Sequence, residues 1–202
     1  MIHECCHSSG GRRRRRRRRR HLRAVCRWQR HIVRGRAAVR RRNATADRGD
    51  DRDVSWLVCD SDGVIAGYAY ASWHRTRLAY RWSVETSVYV DPNFRRCGVA
   101  RGLYTSLFAI LAAQGYVNAY AGITLPNARS VAFHEALGFL PLSVYRGIGF
   151  KLGQWHDVGW WHLLLKRHPA SPEIPTSLDD LRRQPGWEAL VSSGEPFVRT
   201  RS

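Results

Sequence analysis

Lysine is almost missing from this 202-residue chain. Of its 34 Lys plus Arg, only Lys151 and Lys166 are lysine. Cations drawn so heavily from arginine follow a GC-rich coding sequence rather than a set of phosphate contacts, which weighs against nucleic-acid binding by the body of the chain. Methionine occurs once, and no apolar run approaches the roughly 18 residues that span a bilayer, so no membrane partner is expected. Cysteine is sparse, with five residues at Cys5, Cys6, Cys26, Cys59 and Cys97. An odd, scattered set predicts a reducing compartment without a disulfide framework, hence a cytoplasmic protein. The group His3, Cys5, Cys6, His7 lacks the second spaced pair of a zinc site, so no metal is expected.

What is present is distributed unevenly. Net charge is +18, yet residues 1–53 alone hold 19 Arg against 5 acidic residues. Arg12 to Arg20 form one block, followed by HLRAVCRWQR rather than by an apolar stretch, so no secretory signal is read. With no periodic apolar face, residues 1–53 read as an Arg-rich disordered extension, the one place where nucleic acid could bind. Residues 54–167 have the length and apolar content of one α/β domain. From His168 to the end, Pro, Ser and Arg dominate, and residues 168–202 read as a loose surface tail.

Inside the domain, periodicity gives the elements. WLVCDSDGVIAGYAYASW predicts two strands around an Asp62–Gly63 hairpin turn, and Trp82 to Val90 a third strand stopped by Asp91 and Pro92. Ala100 to Gln114 carries Leu103, Leu107, Ile110 and Leu111 at helical spacing before Gly115. Ala119 to Leu125 is a strand, Asn127 caps a second helix that ends at Gly138, and strands follow near 140–150 and 158–165. The fold class is α/β (α+β), a twisted mixed sheet flanked by helices.

One stretch carries chemistry. Residues 85–100 read ETSVYVDPNFRRCGVA, a strand, a turn, and an Arg/Gly loop that opens a helix. Backbone N–H groups at such a helix start form an anion site suited to a pyrophosphate. The loop has Arg95, Gly98 and Ala100 in the pattern of the GNAT N-acetyltransferases. Together with AYRWSVETSVYV, LPNARSVAFHEALGF and GFKLGQWHDVGWW, residues 56–165 resemble the phosphinothricin N-acetyltransferase family. The strand and two helices that open the GNAT fold are not recognisable in residues 1–53.

That resemblance implies acetyl-CoA as co-substrate, a small amino-acid-like acceptor of the phosphinothricin or methionine sulfoximine type, and a homodimer. The strand Val88, Tyr89, Val90 would polarise the thioester carbonyl through a backbone amide. Arg95, Arg96, Cys97, Gly98, Val99, Ala100 and Arg101 would hold the pyrophosphate, and Asn127 the pantetheine arm. Glu85 matches the family's catalytic carboxylate, and its sequence neighbours Trp82, Val84, Val88 and Tyr89 lead us to expect a desolvated, more basic carboxyl. His134 stands where the thiolate would be protonated. Arg75, Arg77 and Tyr80 match positions that bind the acceptor's anionic groups. The alternative is an inactive or truncated GNAT domain whose Arg-rich extension binds nucleic acid.

Overall fold

A computed structural model describes residues 55–199, and the expectations placed on residues 1–53 lie outside the described residues. Six strands form one mixed sheet in the order β1-β2-β3-β4-β6-β5. Strand β1 (Trp56–Ser61) turns into β2 (Val64–Trp73) through Asp62 and Gly63, which both take positive φ, 54° and 85°. That is the two-residue turn whose twist matches a hairpin, and Ser61 pairs directly with Val64. Strand β3 (Ser83–Val90) runs antiparallel to β2, helix α1 (Val99–Gln114) crosses over, and β4 (Asn118–Thr124) returns parallel to β3. After α2 (Ala128–Glu135), the hairpin of β5 (Leu140–Lys151) and β6 (Gln154–Leu164) places β6 antiparallel against β4.

The core lies between α1 and one face of the sheet. Leu103, Leu107, Ile110 and Leu111 of α1 are fully buried against Cys59, Ala69, Val84, Ala119 and Ala121. Strand residues on the other face form an aromatic surface. Trp56 stacks on Tyr70 with ring centroids 4.4 Å apart, and Tyr68 on Tyr89 at 5.0 Å. Alternation along each strand produces this division.

Two expectations need correction. The segment after His168 is not a loose tail. Helices α3 (Leu178–Arg182) and α4 (Trp187–Ser192) pack it onto α1, with Leu178 and Leu181 buried. Ser106 Oγ donates to Val191 O at 2.7 Å and accepts from Gly194 N at 3.0 Å. The second correction concerns cysteine: Cys59 is disulfide-bonded, and Cys97 is the free cysteine among the described residues. No helix among the described residues is long and apolar enough to cross a membrane.

Candidate active site

The feature that makes a site is a short pairing. Strands β3 and β4 are in register only from Ser83 opposite Asn118 to Glu85 opposite Tyr120, although β3 continues to Val90 and β4 to Thr124. Beyond Glu85 the two strands part. Thr86 Oγ1 donates to Tyr120 O at 3.3 Å, the last link before the gap. Because the strands are parallel, their carboxyl ends lie together at the open end, the usual ligand position in parallel sheets. Both following helices begin there.

Helix α1 starts from Gly98 at φ 77°, a left-handed N-cap that glycine adopts without strain. No side chain caps this helix, and its first turn has no acidic residue, so the leading N–H groups and helix dipole face outward. Arg96 and Arg101 line a cleft of about 310 Å³ at this end, joined by Gly98, Pro196, Phe197 and Arg199. Arg199, from the C-terminal segment, was invisible to sequence reasoning; its N–H donates to Cys97 O at 2.8 Å. The Arg101 guanidinium lies 4.8 Å over the Phe197 ring. Cys97 is buried and points its thiol at Arg95 O, 3.6 Å away. A second cleft of about 480 Å³ sits past the end of β4, lined by Leu125, Pro126 and residues 154–157. Asn127 at the start of α2 accepts from Ser130 N at 3.2 Å, so it caps the helix as expected.

Glu85 sits at the point where the strands part. Its setting differs from the expected apolar one, because Val84 and Thr86 point to the opposite face. Its neighbours are polar: His74 Nδ1 at 3.0 Å and the Arg75 guanidinium at 3.7 Å, both measured to Oε1. The His74 ring stacks on Tyr120 at 4.3 Å and meets Trp160 edge-on at 5.8 Å. Burial pushes the imidazole below its ordinary value, Glu85 opposes that shift, and Arg75 adds to it. Trp160 Nε1 is buried without a hydrogen-bond partner among the described residues. Arg77 and Tyr80 are exposed on the loop that leads into β3, with Arg77 preceding the single turn Leu78–Tyr80. Tyr89 is exposed on β3, while Val88 and Val90 are partly buried against the core.

His134 lies on the other face of the sheet from Glu85. It is buried, donates from Nδ1 to Ser130 O at 2.7 Å, and faces the Tyr104 hydroxyl through Nε2 at 3.3 Å. With Nδ1 as donor, Nε2 accepts from Tyr104. Burial lowers the pKa of His134 and raises that of Tyr104 well above the usual phenol range. Asp157, whose role the sequence left open, holds the β5–β6 hairpin. Its carboxylate accepts from Gly147 N at 2.8 Å and from Arg146 at 3.1 Å. His156 Nε2 lies 3.0 Å from Lys151 O. Among the described residues, no group of three or more His, Cys, Asp or Glu is gathered to hold a metal ion.

Known proteins resemble this chain in sequence and fold. The acetyltransferase (GNAT) family matches residues 22–139, reaching upstream of the described residues. Phosphinothricin N-acetyltransferase from Streptomyces viridochromogenes is 47% identical over 115 residues, 57% of this chain and 62% of the relative. The L-methionine sulfoximine/L-methionine sulfone acetyltransferase of Salmonella typhimurium is 36% identical over 115 residues, 56% of this chain and 67% of the relative. Among solved structures, a GNAT superfamily phosphinothricin acetyltransferase from Sinorhizobium meliloti in complex with AcCoA superposes with a TM-score of 0.57 at 34% identity. That match covers 65% of this chain and 72% of the other. A putative acetyltransferase from Salmonella typhimurium with its cofactor acetyl-CoA gives a TM-score of 0.56 at 34% identity, covering 59% and 69%. The chain spans 50% to 62% of the length of the first three curated relatives.

Proposed function

The chain belongs to the acetyltransferase (GNAT) family, and on that footing we propose that it transfers acetyl from acetyl-CoA to the α-amino group of a small amino-acid-like acceptor of the phosphinothricin or methionine sulfoximine type. The observation that carries this reading is the gap between β3 and β4, open at the end where an uncapped, Arg-flanked helix begins. An extended thioester arm fits a gap between two strand edges, and a pyrophosphate fits the helix start. Arg95, Arg96 and Arg101 with the N–H groups of residues 97–101 would hold the phosphates, Asn127 the pantetheine, and a backbone amide among Val88, Tyr89 and Val90 the thioester oxygen. Cys97 is held toward Arg95 O, which favours direct transfer over an acyl-enzyme.

Glu85 belongs to the basic end of the reaction and His134 to the acidic end. For that role the enclosed His134 would act as the imidazolium, Nε2 donating to the Tyr104 oxygen as the Tyr104 hydroxyl passes its own proton to the departing thiolate. Arg75, 3.7 Å from Glu85, with Arg77 and Tyr80 exposed on the same loop, would take the acceptor's carboxylate and phosphinate. The homodimer is part of the same proposal. Leu140, Leu142, Ile148, Phe150 and Trp155 of the last hairpin are all more than half exposed, a surface suited to a second copy.

Melting the protein with and without acetyl-CoA tests the reading. At a hundredfold excess over Kd, stabilisation of about 2.7 kcal/mol is expected, followed by thiol release when phosphinothricin or methionine sulfoximine is added. No change in melting, alongside salt-sensitive RNA binding, would overturn it in favour of a nucleic-acid-binding protein.

A further inference from the structure

We propose that His74 takes the proton from the acceptor's ammonium group, with Glu85 as the carboxylate that orients it. The basic end of the site is then a histidine–carboxylate pair and not a lone acid. The inference rests on the acetyltransferase reading above and assigns one residue within it.

Register brings the pair together. Ser72 lies opposite Glu85 and Trp73 opposite Val84, and His74 N continues the ladder by donating to Ser83 O at 3.2 Å. His74 is therefore diagonal to Glu85 on the same face, within reach of a long side chain. Nδ1 and Oε1 meet at 3.0 Å. A carboxylate accepts only, so Nδ1 carries the hydrogen and a neutral ring keeps its lone pair on Nε2. Among the described residues, Nε2 has no hydrogen-bond partner.

The ring is held on three sides. Tyr120 of β4 stacks against it, Trp160 of β6 meets its edge, and Glu85 of β3 fixes its rotation. The charged or titratable groups around it are Glu85, Arg75 and Tyr120, with His162 behind Tyr120 at 5.0 Å between ring centroids. A base oriented by a carboxylate, with its second nitrogen free, is the arrangement that activates a nucleophile beside it. Burial keeps His74 neutral at neutral pH, the form that can accept a proton.

In the step itself, the N–H bond of the ammonium breaks and its proton passes to His74 Nε2. The imidazolium so formed is stabilised by Glu85. The freed nitrogen lone pair attacks the thioester carbonyl carbon. As the C–N bond forms and the C–S bond breaks, the thiolate leaves with the electron pair and is protonated. The nitrogen loses its second proton, and His74 returns its own to solvent. Ammonium and thioester become amide, thiol and one released proton.

Nitrogen-15 NMR of histidine-labelled protein reads the pair without any substrate. We expect His74 in the Nδ1–H tautomer and a titration midpoint that falls in Glu85→Gln. An Nε2–H tautomer, or a midpoint indifferent to Glu85, overturns the proposal. Kinetics supply the second arm, with His74→Phe and His74→Asn, the latter retaining an N–H for Glu85 but no basic nitrogen. Both should lose roughly a hundredfold in kcat, with the acidic limb of kcat/KM flattened and the KM for acetyl-CoA unchanged. Rescue by His74→Asn would mean that His74 only positions Glu85, and wild-type rates in both variants would leave Glu85 acting alone; either result overturns the assignment. A wild-type protein that releases no thiol with any amine offered would remove the acetyltransferase reading and this assignment with it.

Discussion

Replacing Gly98 by alanine tests how the C-terminal segment meets the helix start. Gly98 has φ 77°, and a Cβ built there would stand 1.8 Å from Phe197 O and 2.9 Å from Phe197 C. Both are backbone atoms and cannot swing aside as a side-chain tip would. The left-handed conformation alone costs a non-glycine residue about 1–2 kcal/mol. Moving residues 195–199 away adds the Arg199 N to Cys97 O bond, worth about 0.5–1.5 kcal/mol, and some apolar burial around Val198. A total near 2–4 kcal/mol follows, or roughly 5–15 °C in Tm for a chain of this size. Gly63→Ala isolates the conformational part, since Gly63 has φ 85° and nothing within 4 Å of its Cβ position. Urea unfolding of both variants should place Gly98→Ala at least about 1 kcal/mol below Gly63→Ala. Equal losses would show that the segment does not lie on Gly98 in solution.

Arg77→Ala should raise the KM for an anionic acceptor by roughly tenfold or more, through loss of a charge-assisted contact worth about 1.5–3 kcal/mol, while the acetyl-CoA constant holds. If both constants rise together in steady-state kinetics, Arg77 supports the loop and not the acceptor. A third expectation concerns pH. Burial lowers the pKa of His134 in the folded state, so the unfolded chain binds the proton first as pH falls. Stability from this group is intact above about 6.5 and is lost below it. His74 and His162 act in the same direction. Tm should therefore drop between pH 7 and pH 5, and His134→Gln, though less stable throughout, should show a shallower drop. Superimposable pH dependences would refute this.

Much of the fold was legible in the sequence because its signals were long or chemically specific. The sixteen residues of α1 carry a full apolar stripe, and Asp62–Gly63 and Gly115 mark their turns by the φ they must adopt. Helices α3 and α4 escaped notice because five and six residues are too few to show a period. They exist through contact with α1, which no local pattern announces. Within the site, the loop at Gly98 was readable as a glycine turn opening a helix, and its spacing took on meaning only through the family-like segments around it. His74 was hidden in the basic run HRTR, and only the register of β2 on β3 shows that it faces Glu85. The same cause misled the reading of Glu85, whose sequence neighbours are not its spatial ones.

The three-residue pairing of β3 with β4 has a mechanical consequence. With contact limited to Ser83–Glu85 and Asn118–Tyr120, the sheet is two leaves, β1-β2-β3 and β4-β6-β5, joined at a short seam. Past the seam, residues 86–90 and 121–124 present facing edges that pair only outward, to β2 and to β6. An extended molecule laid between those edges would bridge the leaves like a staple through a half-sewn fold. Its arrival would then stiffen the whole sheet, slowing amide exchange in strands it never touches.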